Sequence, residues 1–83
     1  MSSLEDKTLA LQVRHAMGRT PLDLTQVTVT CRRGTIELVG IARKPRDFRG
    51  EMDVKKEIVK LKQIVANVRG VTEVYSSQLR FLE

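Results

Sequence analysis

Apolar and polar positions change their period several times along the chain, and each change marks an element. Leu9, Val13, Ala16 and Met17 fall on one face of a 3.6-residue period, which predicts a helix from Asp6 to Met17 with Asp6 placed to cap its start. Gly18 stops it. Arg19-Thr20-Pro21-Leu22-Asp23 reads as a loop, because the residue before a proline is pushed out of the α region. Strict alternation follows, with Val27, Val29 and Cys31 on one side and Thr28 and Thr30 on the other, the period of a half-buried strand. Arg32-Arg33-Gly34 supplies a turn, and Ile36, Leu38, Gly40 and Ala42 carry the inward face of a second strand, so 27–42 reads as a β-hairpin. Residues 43–50 combine proline, glycine and five charges, the mark of a surface connection. The positions Val54, Ile58, Leu61, Val65 and Val68 then form a stripe at helical spacing, predicting a helix that extends to Arg69 and ends at Gly70 in the left-handed conformation. Val71 to Leu82 reads as a third strand, bulged near Ser76-Ser77 where the alternation changes phase.

The order αββαβ implies an α+β domain of two layers, a three-stranded mixed sheet with both helices on one face, because two amphipathic stripes and one apolar sheet face can bury one another in one core. The opposite sheet face is left to solvent or a partner. Thr28, Thr30, Thr35 and Glu37 suit water there; Val39 and Ile41 do not, and form a candidate protein-contact site. A length of 83 residues suits a single domain, 1–83, with an ordered core over about 5–82. No apolar run approaches the ~20 residues needed to span a bilayer. The start MSSLEDKTLA lacks the pattern of a secretory signal, so the chain as written is expected in the cytoplasm, with periplasm or cell envelope the alternative if a leader or larger parent chain has been removed.

Charge sharpens this picture through its placement. Fifteen Lys and Arg against ten Asp and Glu leave +5, with the excess in the middle of the chain. Two patches follow from the topology. The hairpin tip holds Arg32 and Arg33, separated by the length of a strand, roughly 20 Å at about 3.3 Å per residue, from the exit of the second strand. At that other end the connections gather Arg19, Arg43, Lys44, Arg46, Arg49, Lys55 and Lys56 around Phe48, together with the positive pole of the second helix. This constellation suits anionic headgroups, since cations and one aromatic can act together at a membrane interface. The competing reading is a solvated loop, partly neutralised by Asp47, Glu51 and Asp53, with Phe48 folded against Val39 or Ile41.

Other chemistries find little to work with. His15 lies opposite the Leu9/Val13 stripe with no second ligand nearby in sequence, and Cys31 shares the inward face of Val27 and Val29, where a small buried hydrophobe is expected. No catalytic residue, metal ligand set or cofactor site is predicted, and no glycine spacing builds a phosphate loop. Nucleic acid is disfavoured as a partner, because a Gly-x-x-Gly clamp is absent and the strands offer only Tyr75 and Phe81 for stacking.

Two stretches resemble a known family. Val27-Thr-Val-Thr-Cys-Arg-Arg-Gly34-Thr-Ile36-Glu-Leu38-Val-Gly40 and Val68-Arg-Gly70-Val71-Thr-Glu-Val74 are similar to the BON domain, a bacterial module of osmotically induced and nodulation-related proteins. The resemblance spans nearly the whole chain, although the stretch from Ala42 to Gly70 is a few residues longer than usual. It implies an αββαβ domain without enzymatic activity that attaches proteins to membranes by binding phospholipid, or mediates protein contacts. A binding module follows as the expectation: anionic phospholipid at the basic end, or a protein partner or second copy on the sheet face at Val39 and Ile41.

Overall fold

The structure, a computed structural model, describes residues 3–82. Its elements are α1 (Ser3–Met17), β1 (Asp23–Arg32), β2 (Thr35–Arg43), α2 (Val54–Ala66) and β3 (Glu73–Leu82). β2 is central, antiparallel to β1 and parallel to β3, which makes the sheet mixed and α2 the crossover between its two parallel strands. Both helices cover one face. Leu9, Val13 and Met17 of α1 and Val54, Ile58, Leu61 and Val65 of α2 join Val27, Ile36, Leu38 and Ala42 in a single buried cluster. This is the predicted α+β arrangement, and the four α2 positions are those its stripe marked.

Several boundaries move for long-range reasons. Asp6 does not cap α1, which begins three residues earlier at Ser3. Its carboxylate instead accepts the Arg33 N–H at 3.1 Å, with the Cys31 thiol 3.9 Å away, and ties the helix to the hairpin turn. Cys31 is therefore half-buried beside a carboxylate rather than enclosed. The turn has two central residues, Arg33 (φ 51°) and Gly34 (φ 83°), both left-handed as a primed hairpin turn requires. A Cβ on Gly34 would lie 2.8 Å from the Gly70 carbonyl oxygen, and the Gly34 carbonyl accepts the Thr72 N–H at 2.8 Å. The turn thereby locks against the segment leading into β3.

α2 starts where expected, with Asp53 as N-cap accepting the Lys56 N–H at 3.2 Å. It ends at Ala66 with Asn67 as C-cap, not at Arg69, and Gly70 (φ 102°) belongs to the connection that follows. Val68 keeps the helical period but packs against the core from that connection. β1 begins at Asp23, inside the stretch read as a loop, because Asp23 pairs with Arg43 across the sheet. Gly40 has no room for a side chain: a Cβ there would meet the Gln26 carbonyl oxygen at 2.0 Å. The bulge in β3 is where the alternation put it. Glu37 is level with Tyr75 and Val39 with Gln78, so Ser76 and Ser77 oppose Leu38 alone.

The sheet's two flanks are finished differently. α1 runs along β1, where the Arg14 guanidinium donates to the Val27 carbonyl at 2.6 Å and reaches the Leu24 carbonyl at 3.5 Å. Among the described residues, no side chain or loop bonds to the backbone of β3, whose partners lie in the β2 ladder.

Candidate functional site

The basic end is built by two connections beside the Asp23–Arg43 rung, residues 18–22 between α1 and β1 and residues 44–53 between β2 and α2. α1 unwinds through three successive turns, with the N–H groups of Gly18, Arg19 and Thr20 donating to His15, Ala16 and Met17 carbonyls, and this leaves Arg19 exposed at the exit. Asp23 then opens β1. Its carboxylate accepts the Thr25 hydroxyl at 2.7 Å, the Thr25 N–H at 3.0 Å and Arg43 Nε at 3.3 Å. The Thr25 bonds, and beyond them the Arg43 charge, hold the Asp23 carboxyl below its ordinary pKa. Arg43 is thus committed within the fold.

Residues 44–53 curl back from β2 to α2. Lys44 Nζ donates to the Gly50 carbonyl at 2.7 Å and lies 5.6 Å from the centre of the Phe48 ring, while the Phe48 N–H donates to the Pro45 carbonyl at 3.2 Å. Around them is a hollow of about 470 Å³ lined by Arg43, Lys44, Pro45, Arg46, Phe48 and Leu82. Val39 and Ile41 are not among the residues that line it. Arg46 and Arg49 are exposed on the loop, and Lys55 and Lys56 on the first turn of α2. None of these four forms an ion pair among the described residues, where the pairs are Arg43–Asp23 and Lys60–Glu57.

Four of the predicted site residues therefore share one hollow, Arg43, Lys44, Arg46 and Phe48, and Arg49, Lys55 and Lys56 continue along the same loop and helix start. Lys44 and Arg43 are half-buried and partnered; the free positive charge belongs to the others. Sequence reasoning missed Leu82, which is 53% exposed and level with Arg43 through the β2–β3 register. Only the parallel pairing and its bulge bring Leu82 to this end.

Val39 and Ile41 lie on the helix-free face as predicted, in the rows Thr28–Val39–Gln78 and Gln26–Ile41–Arg80, but both are half-buried. Arg32 and Arg33 lie at the opposite end of the sheet, beside a larger hollow of about 700 Å³ that includes Thr30, Glu37 and Tyr75. There the Tyr75 hydroxyl donates to Glu73; that bond, then the carboxylate charge and partial burial, raises the tyrosine's pKa. His15 is exposed. Among the described residues, no group of three or more His, Cys, Asp or Glu side chains is placed to hold a metal ion, and no helix is long and apolar enough to cross a membrane. No protein-family model matches the chain, and no curated protein matches it.

Proposed function

We propose that the chain is a non-catalytic, BON-like binding module that associates peripherally with anionic phospholipid through its basic end. The observation that carries this reading is the set of exposed cations Arg46, Arg49, Lys55 and Lys56, in no ion pair among the described residues, on the loop and helix start next to a hollow that holds Phe48 and Leu82. Each cation near an anionic bilayer contributes about 1 kcal/mol, screened by salt, and an apolar tip adds interfacial burial. The αββαβ order agrees with the resemblance in the two glycine-valine stretches.

Titration with vesicles tests it. Binding is expected to vesicles containing phosphatidylserine, to weaken at high salt, and to be absent with phosphatidylcholine alone. Reversing Arg46, Arg49, Lys55 and Lys56 to Glu is expected to abolish it while Arg43 and its Asp23 partner stay intact. Equal binding to neutral vesicles, or unchanged binding by the reversed variant, overturns the proposal. The second reading, a protein contact on the helix-free face, is favoured by the adjacent Val39 and Ile41 in the central strand. It predicts that Val39→Glu with Ile41→Glu disrupts a complex and leaves the monomer folded.

A further inference from the structure

We infer that β3 is the seat of a homodimer, in which two copies of Glu73–Leu82 pair antiparallel about a two-fold axis normal to the sheet and centred between Ser76 and Ser77. The choice of edge comes from the flanks. Arg14 occupies carbonyls of β1, whereas the outer edge of β3 carries no such plug among the described residues. An unpaired edge is a template for another strand.

The choice of register comes from the bulge. An axis normal to the sheet keeps directly opposed residues on the same face, but in an unbroken strand residues seven apart face opposite ways. The extra residue at Ser76-Ser77 reverses that phase. Glu73, Tyr75, Gln78 and Arg80 consequently share the helix-free face, level with Thr35, Glu37, Val39 and Ile41, while Val74 and Leu79 share the helix face with Ile36 and Gly40. Two copies then match: Glu73 against the partner's Arg80, Val74 against the partner's Leu79, Tyr75 against the partner's Gln78, and bulge against bulge.

Charge selects the same register independently. Glu73 and Arg80 are the only charged residues of β3, and the two-fold opposes them twice with opposite sign. A slip of two residues places Glu73 against the partner's Gln78 or Leu82 and loses both pairs.

The helix layer adds apolar surface at the same edge. Val74 and Leu79 are only half-buried although they face α2. A groove of about 350 Å³ that Val74 helps to line is also bordered by Lys62, Gln63, Ala66 and Val71. Val59, one to two turns earlier on that helical stripe, is 53% exposed. A second copy paired along β3 brings the same stripe to face this one.

Sedimentation velocity over a concentration series tests the pairing, with circular dichroism confirming that variants at the exposed positions 73 and 80 stay folded. Wild type is expected to form a concentration-dependent dimer. Glu73→Arg and Arg80→Glu each oppose like charges twice, and each is expected to weaken the dimer at least about tenfold. The double variant restores it. Mixing the two single variants yields a heterodimer, because both contacts are then Arg against Glu. A wild type that stays monomeric, single variants that dimerise like wild type, or a mixture that does not associate overturns the inference. So does a dimer dissociated by Val39→Glu with Ile41→Glu but untouched by the charge variants, which would place the interface on the sheet face. The outcome does not depend on vesicle binding, so this inference and the lipid reading fail separately.

Discussion

At the hairpin end of the sheet the turn backbone is held by distant parts of the chain, whereas at the basic end residues 44–50 are closed by their own bonds and the loop charges face outward. Asp6 holds the turn, Gly34 accepts Thr72, and Tyr75 donates to Glu73 at the first; at the second, Lys44 closes its own loop and Asp23 clasps Arg43, but Arg46, Arg49, Lys55 and Lys56 have no ionic partner among the described residues. The molecule is 43 Å long, so the two ends are distinct surfaces. The contrast lies in the backbone that carries the cations. Arg32 and Arg33, exposed and outside the ion pairs among the described residues, sit on a turn held by tertiary bonds, while Arg46 and Arg49 sit on a loop closed by its own contacts.

Substitution at glycine tests the contrast most severely. Gly34→Val places a β-branched residue at φ 83° with its Cβ against a backbone oxygen, and is expected to cost about 3 kcal/mol in a denaturant titration. Gly50→Ala, at φ 95° in open space, is expected to cost only about 1 kcal/mol. Equal losses would mean that the ends are constrained alike. Next comes binding: reversing Arg32 and Arg33 to Glu is expected to leave vesicle affinity within about threefold, against the loss on reversal of the loop cations, because the two patches act a strand length apart. Smaller effects follow from the tethers. Asp6→Ala removes a long-range bond and is expected to lower stability by about 1 kcal/mol, whereas Lys44→Ala removes a cation–π contact and a bond to the Gly50 carbonyl within one loop and costs about 0.5 kcal/mol.

The least effect lies in pH, and it has opposite sign at the two ends. Asp23 has a lowered pKa, so its contribution is complete above the ordinary value of 3.8 and is lost as pH falls through the lowered one. Asp23→Asn is expected to flatten that part of the acid limb of the stability profile. Tyr75 has a raised pKa, so its contribution is complete below 10.0 and is lost as pH rises through the raised value. Glu73→Gln is expected to bring the phenol titration, followed by ultraviolet absorbance, back toward 10.0.

The fold was legible wherever a residue's role depends on its near neighbours in sequence. Val54, Ile58, Leu61 and Val65 lie buried on one stripe, and the phase change at Ser76-Ser77 is a real bulge, because both patterns record which face meets the core. What escaped was set by distant partners. Asp6 looks like a cap until the hairpin turn is brought beside it, and Asp23 looks like loop until Arg43 pairs with it. Val68 continues the α2 period from outside the helix, which made α2 read too long. The basic end was legible as a charge count, since the connections had to meet there. Its apolar tip was not, because Leu82 reaches Arg43 only through the strand register.

Arg14 has a consequence beyond the packing of α1. By occupying the Val27 and Leu24 carbonyls, it leaves the molecule one open flank instead of two. A particle with one adhesive side stops growing once that side is satisfied, whereas a particle with two can polymerise without limit. Under the β3 pairing inferred above, this single guanidinium favours a finite assembly over a fibre.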